Sequence, residues 1–377
     1  LKKRILILSP FLKNIGGTEL EAVISAMHFY DSRLYEQVSI FSPIKHDSFF
    51  EEIINERKIG FLNYPTFFNS KIVLFVNKLL KKLGLNVSLF EVIYWFFISK
   101  RFTHFFVLTY PGCIYFFSLF QYYNKRKKYV AKVTMWHYNL LSDPQKNIYK
   151  KFNIIIVFNE VQKKFWHTNQ ILSNAVALDI MILNETNLLG LSSKTFHKDI
   201  IVFGFLGRLS REKNIEDMIL LMEFLNHKNQ KKCQLFIQGG GDAAYVQELE
   251  KLVVKLKLQE FVTFNKVFIS PNQTHHFYDQ IQVLLVTSTN EGGPMTSLEA
   301  AAAGCYVMGY KIGAMEDRFS SFPYIVNVDF NSLCNSALTF LNLTTFEKQM
   351  VLCSFRQHYI FNLSNRSKGV QLNQYFQ

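Results

Sequence analysis

Residues Asn290-Glu291-Gly292-Gly293-Pro294-Met295-Thr296-Ser297-Leu298-Glu299-Ala300 bring two carboxylates, two glycines and a helix start into one short segment. The apolar run Val283–Thr287 reads as a buried strand that delivers the chain to the glycine turn. Pro294 suits the first helical position, where no N–H is needed. Ala300–Ala303 continue the helix and Gly304 suits its end. The N–H groups of Met295, Thr296 and their neighbours then lack partners inside the helix. With the helix dipole they form a site for a phosphate. Glu291 precedes the helix, and Glu299 lies about a turn inside it. As a glycosidase pair the two are badly spaced. Eight residues across a helix start span on the order of 12 Å at ~1.5 Å rise each, against roughly 5–9.5 Å for such pairs.

These residues need a rigid frame, and the surrounding pattern supplies one. Ile201–Leu206 reads as a strand ending at Gly207-Arg208, with Lys213 shortly after. Asn214 stands where it would cap a helix carrying Ile215, Met218, Ile219, Met222 and Leu225. The strand Gln234–Gln238 runs into Gly239-Gly240-Gly241-Asp242 and then a helix with Val246, Leu249, Leu252, Val253 and Leu256. Phe261–Asn265 and Cys305–Tyr310 are further strands. The first half follows the same logic. Lys2–Ser9 is a basic start and a short buried strand, followed by the loop Pro10–Gly17. Thr18 and Glu21 are spaced as a capping box before a helical face of Leu20, Val23, Ile24 and Met27. Apolar strands follow at Gln37–Phe41, Phe105–Tyr110, Val130–Met135 and Ile154–Phe158. Residues 184–199 are polar without a clear period and read as a linker. The expected fold class is therefore α/β, with two Rossmann-like, doubly wound parallel-sheet domains facing a cleft. The expected boundaries are 1–190 and 200–357, with a tail of about 358–377 packing back on the first domain. Ligands of such a pair bind at the carboxyl ends of the strands.

The bulk numbers agree with two domains. The chain has 377 residues, 49% hydrophobic and 19% charged, enough to bury large cores. Residues 1–200 hold 26 Lys and Arg against 14 Asp and Glu, a net of +12, whereas residues 201–377 hold 16 against 15, a net of +1. A basic, aromatic-rich half points to an anionic surface as partner. The five cysteines, Cys113, Cys233, Cys305, Cys334 and Cys353, are scattered and form no C-x-x-C, which fits a reducing compartment and no structural zinc. The apolar run Ile5–Leu8 is too short for a signal peptide. Residues 105–124 carry no formal charge and have the length of a span. Pro111-Gly112 divides them into the strand Phe105–Tyr110 and a helix over Ile114–Tyr123.

Taken strand to strand, the block from Val283 to Tyr310 resembles the signature of the retaining GT-B glycosyltransferases of family four (glycosyl transferases group 1). The resemblance implies that Glu291 contacts the hydroxyls of a donor sugar and Glu299 the ribose. The amides around Gly292, Gly293, Met295 and Thr296 would hold the diphosphate. Arg208 and Lys213 resemble the basic pair of the family; two cations beside a diphosphate neutralise the charge that grows on a leaving nucleotide. Asn14-Ile15-Gly16-Gly17-Thr18-Glu19 resembles its N-terminal glycine loop, with Gly16 and Gly17 near the donor phosphates. His137, in Trp136-His137-Tyr138, aligns with a histidine placed near the reacting sugar. Gly239–Asp242 resembles the turn beside the nucleotide base. Ser173-Asn174-Ala175-Val176 departs from the segment "pro-asn-gly-val" at Ser173 and Ala175. Gly313-Ala314 stands where the family usually has two glycines, and Asp317 where it usually has glutamate. The resemblance covers roughly residues 4–320.

It implies a retaining, metal-independent hexosyltransferase whose catalytic residues are Glu291, His137, Arg208 and Lys213. The donor is a nucleoside-diphosphate sugar, and no cofactor is needed. No D-x-D triplet of the metal-dependent GT-A kind occurs in the sequence. The strand Ile5–Leu8 is not followed by G-x-G-x-x-G, which argues against a dinucleotide oxidoreductase, and no nucleic-acid motif is present. The segment Ser70–Leu85 mixes Ile72, Val73, Phe75, Val76, Leu79 and Leu80 with Lys71, Lys78, Lys81 and Lys82. As a helix it suits an anionic membrane face, although an ordinary amphipathic helix has the same pattern. With Lys125–Lys128, this favours a glycan or lipid-linked acceptor at the inner face of the cell membrane. The expected setting is bacterial surface polysaccharide (lipopolysaccharide or capsule) assembly, in the cytoplasm or peripheral on that membrane. A non-catalytic GT-B subunit that keeps nucleotide-sugar binding is the alternative.

Overall fold

Short runs of β-branched and aromatic residues form the strands, and the burial of both sheet faces explains why those runs are nearly unbroken. In a computed structural model, residues 2–10, 12–13, 15–54, 56–82, 88–109, 117–133, 143–170, 174–192, 194 and 200–377 are described. The chain divides into two units, Leu1–Met181 with Gly369–Gln377, and Ile182–Lys368.

In the first unit β1 (Arg4–Leu8), β2 (Gln37–Ser42), β3 (Gly60–Asn63), β4 (His104–Thr109), β5 (Lys128–Val133), β6 (Ile154–Val157) and β7 (Ala175–Ala177) form one sheet. Its order is β3-β2-β1-β4-β5-β6-β7, parallel throughout. Leu6, Phe41, Trp95, Phe105, Tyr129 and Tyr149 are fully buried in its core. The Trp95 indole N–H donates to the Tyr64 hydroxyl at 2.9 Å, so even this buried polar group is satisfied. Short β3 and β7, at the two edges, carry too little apolar sequence to be read in advance. Phe376, near the chain end, packs edge-on against Phe29 at 5.0 Å.

The capping box expected at Thr18 and Glu21 does not form. The helix Gly17–Asp31 has its N-cap two residues earlier, at Gly16, with no side-chain cap. Glu21 is instead buried, with its carboxylate 3.4 Å from Lys132 Nζ on β5. A long-range charge outcompetes the local cap. Between residues 105 and 124, Phe117–Tyr122 is a short 3-10 helix rather than a full α-helix; Pro111-Gly112 lies outside the described residues. No helix among the described residues is long and apolar enough to cross a membrane.

In the second unit β8 (Ile201–Leu206), β9 (Cys233–Gln238), β10 (Val262–Asn265), β11 (Val283–Val286), β12 (Tyr306–Tyr310) and β13 (Val326–Asn327) form a parallel sheet ordered β10-β9-β8-β11-β12-β13. The chain winds outward from β8 to one side, then crosses to β11 and continues on the other. That reversal is the topological switch point of a doubly wound sheet, where a crevice opens beyond the carboxyl ends of β8 and β11.

Two local expectations shift here. Asn214 precedes the helix Ile215–Glu223 but makes no side-chain cap; it sits in the left-handed region at φ 49° and donates from Nδ2 to Asp217 at 2.7 Å. Pro294 is the N-cap, not the first helical residue, of the helix Met295–Ala302. Gly304 takes φ 73° just beyond that helix, as the stop required.

Candidate functional site

The loops after β8, β9, β11 and β12 share the carboxyl edge of the second sheet. The loop after β8 is stitched to the loop after β11. The Thr287 hydroxyl faces the carbonyls of Lys213 and Asn214 at 3.0 and 2.9 Å. The Thr289 N–H donates to the Glu212 carbonyl at 2.8 Å. This holds Lys213 beside Glu291, and the two form an ion pair to which the Ser288 hydroxyl adds a bond at 3.2 Å. Their side chains are 18% and 20% exposed, so the pair faces solvent at the switch point. Arg208 also follows β8 but projects outward, with Glu212 as a loose partner at 3.7 Å.

The segment from Glu291 to Met295 turns sharply into its helix. Gly313, at φ 53°, makes the turn possible from below. A Cβ there would lie 2.5 Å from the Gly292 carbonyl oxygen and 2.7 Å from that of Glu291. Gly239 plays the same part beside β8, since its Cβ would lie 1.9 Å from the Gly207 carbonyl oxygen. Pro294 brings no side-chain cap to the helix start, so the amides of Met295 and Thr296 face out at the positive end of the dipole. Arg318, fully buried behind the first turn, donates from Nη1 to the Pro294 carbonyl at 2.6 Å and to the Ser297 hydroxyl at 2.8 Å. It fixes the turn and adds positive charge behind it. An arginine four residues past the Gly313-Ala314 pair and directly after Glu316-Asp317 gave no warning of this, because its partners are more than twenty positions away.

Glu299 is buried on the same helix. Its Oε2 accepts from the Tyr278 hydroxyl at 2.8 Å, and that hydroxyl also lies 3.2 Å from the Thr296 carbonyl. Burial pushes the Glu299 carboxyl up to about 7, and the Tyr278 bond only partly opposes this. Tyr278 was not legible as a site residue; its place on the helix Thr274–Gln280 reads as ordinary core.

The structure thus brings Lys213, Glu291, Gly292, Gly293, Met295, Thr296 and Glu299 to one edge, with Arg208 and Gly239 on neighbouring loops. Gly16 and Gly17 belong to the first unit, at the start of the helix Gly17–Asp31. Neither has positive φ, and a Cβ on Gly17 would meet nothing within 4 Å. His137, Asn14 and Ser173 lie outside the described residues. Asn174 ties its loop down, donating to the carbonyls of Phe152 and Asn153 at 2.8 and 2.9 Å. Among the described residues no group of three or more His, Cys, Asp or Glu is placed to hold a metal ion.

Two parallel sheets of this order, the second reversing its winding between β8 and β11, define a GT-B fold. Solved structures with that architecture superpose along nearly the whole chain. A glycosyltransferase from Rickettsia africae has a TM-score of 0.74 at 13% identity, covering 99% of this chain and 98% of its own. Sucrose-phosphate synthase from Thermosynechococcus elongatus has a TM-score of 0.70 at 15% identity, with coverage of 99% and 98%. Anabaena Alr3699/HepE, solved with UDP and glucose, has a TM-score of 0.68 at 13% identity, again with coverage of 99% and 98%. Residues 192–323 match the family model described as glycosyl transferases group 1. No curated protein matches the sequence.

Proposed function

We propose that this protein is a retaining, metal-independent glycosyltransferase that moves a sugar from a nucleoside diphosphate to a glycan or lipid-linked acceptor. The observation that carries the reading is the solvent-facing Lys213–Glu291 pair beside the uncapped start of the helix Met295–Ala302. In the reaction the bond between the anomeric carbon and the diphosphate oxygen breaks. An acceptor hydroxyl attacks from the same face, and its proton passes to a donor phosphate oxygen. Negative charge grows on the departing diphosphate, where Lys213, Arg208 and the amides of Met295 and Thr296 stabilise it. Glu291 positions the sugar hydroxyls and holds Lys213 until the donor arrives. Glu299 accepts from the ribose, and the role near the reacting sugar falls to His137 by the resemblance alone. Fixed cations and a helix start do the work that a divalent ion does elsewhere.

A lipid-linked acceptor in surface polysaccharide assembly fits the basic first half and the helix Lys71–Lys82. That helix leaves Ile72, Leu74, Phe75 and Leu79 exposed beside Lys71, Lys78 and Lys82, and among its described side chains only Val73 is buried. One structural neighbour is a lipopolysaccharide outer core galactosyltransferase. The test is thermal stabilisation by UDP-, GDP-, ADP- and CMP-sugars, with and without EDTA. A donor at 100 times its dissociation constant adds roughly 2.7 kcal/mol. An EDTA-insensitive shift with one nucleotide, lost in Glu299→Ala, supports the reading; binding without turnover favours a non-catalytic subunit; no shift with any donor contradicts it.

A further inference from the structure

The amino edge of the first sheet, opposite to the ends where β4 and β5 finish, carries a cavity of its own. β4 and β5 start in register, His104 beside Lys128. The helix Leu89–Arg101 leads into β4, and the turn Asn124–Lys127 leads into β5. Both therefore meet at the amino edge. Between them lies an open cavity of about 400 Å³ lined by Phe96, Lys100, Tyr122, Tyr123, Lys125 and Lys127, with Ser99 and Asn124 completing it. Three of the lining residues are lysines, and none is Asp or Glu. Lys127 is half-buried and donates to the Ser99 carbonyl, with its ammonium 5.7 Å from the Phe105 ring centre. Burial pushes that ammonium below its usual range, so an anion at the mouth would relieve a real cost. Lys100 Nζ lies 3.6 Å from the centre of the Phe96 ring.

One wall of the cavity continues as an apolar stripe. Leu89, Ile93, Phe96, Phe97 and Lys100 recur at i, i+4, i+7, i+8 and i+11 of one helix, which places them on one face. The four apolar members are exposed by 46%, 47%, 39% and 63%. A cationic cradle closing an exposed aliphatic and aromatic stripe is complementary to one kind of molecule, with a phosphate at one end and hydrocarbon at the other. A free phosphate ester would use the cradle and leave the stripe in water.

We propose that the cradle of Lys100, Lys125 and Lys127 binds the headgroup phosphate of an anionic phospholipid, with Ile93, Phe96 and Phe97 set against its acyl region. The amino edge of the first sheet is then the membrane-seated edge. This goes beyond the sugar-transfer reading and stands without it.

The test is flotation of the full chain with phosphatidylcholine vesicles, plain or doped with phosphatidylglycerol. Each lysine at such a surface is worth about fivefold in partition, so Lys100→Ala with Lys125→Ala lowers binding to doped vesicles on the order of 25-fold. Lys100→Arg with Lys125→Arg keeps it. Ile93→Ser with Phe97→Ser weakens the binding that survives high salt. Stabilisation by the nucleotide donor is unchanged in all of these, which separates this inference from the reading of the donor site. Equal binding to plain and doped vesicles, or full binding by the alanine pair, overturns the proposal. So does loss of binding only in Lys71→Ala with Lys78→Ala, which moves the contact to the neighbouring helix. Binding of glycerol 1-phosphate by the soluble chain without vesicle binding also overturns it, in favour of a small phosphate ester.

Discussion

Two lysine–glutamate pairs stand at the carboxyl edges of the two sheets, and they differ in one physical respect. In the first unit Lys132 and Glu21 are 2% and 8% exposed, 3.4 Å apart. Lys132 also donates to the Leu178 carbonyl and lies 4.6 Å from the centre of the Phe158 ring. Burial pushes the Glu21 carboxyl up, the neighbouring Lys132 pulls it back, and Asp179 adds to the rise. In the second unit Lys213 and Glu291 are about a fifth exposed. Removing one partner of a buried pair strands a charge in a medium that cannot solvate it. Removing one partner of a pair that is a fifth exposed leaves a charge that water or a ligand can reach. The first pair therefore fixes the helix Gly17–Asp31 to β5, and in the proposed reaction the second exchanges its partner for a phosphate.

Breaking the buried pair has the largest expected effect. Lys132→Met should destabilise the first unit by about 3–5 kcal/mol in denaturant unfolding, and Lys132→Met with Glu21→Leu should recover most of the loss. Next comes Lys213→Met. Its expected cost falls on turnover, with kcat reduced on the order of 100- to 1000-fold, while stability moves by less than about 1 kcal/mol. If both variants unfold the protein equally, the distinction between the pairs fails.

Glu299 sharpens the comparison, because it is a buried carboxyl without a cation among its bonding partners. Its pKa is raised from 4.5 to about 7. The folded state thus holds a proton that the unfolded state has released between those values. The contribution is complete below pH 4.5 and is lost as pH rises through 7, on the order of 3 kcal/mol in all. Stability of Glu299→Gln should lack that component of the pH profile. Donor binding should run the other way. A ribose hydroxyl donates to the ionised carboxylate, so affinity should rise roughly tenfold per pH unit up to about 7 and then level. Gly313→Ala should cost more than the about 1–2 kcal/mol of left-handed strain at φ 53°, because its Cβ also meets the Gly292 and Glu291 carbonyl oxygens, and donor binding should weaken with the loss in thermal unfolding.

Much of this was legible in the sequence where the signal is local. The strand–turn–helix block from Val283 to Gly304 is written in consecutive residues, and it folds as read apart from the single-residue shift at Pro294. The strands β8 and β9 and the left-handed stop at Gly304 follow for the same reason. What failed or was missed depends on distance along the chain. Thr18 and Glu21 have the spacing of a cap, but Lys132, more than a hundred positions on, claims the carboxylate. Tyr278 and Arg318 reach the helix Met295–Ala302 from 21 and 24 residues away, and nothing in their own neighbourhoods marks them. The lysine cradle was half visible as the run Lys125–Lys128. Its other wall, the stripe on the helix Leu89–Arg101, becomes a surface only once one knows which face the fold leaves uncovered.

The central claim is that Lys213 exchanges Glu291 for a diphosphate. The most direct measurement is calorimetric binding of the nucleoside diphosphate selected by the donor panel to wild type and to Lys213→Met, with melting temperature followed in parallel. Affinity should fall at least about tenfold, the value of one charge-assisted contact, with the melting temperature nearly unchanged. Unchanged affinity, or a fall in melting temperature as large as that of Lys132→Met, would contradict it.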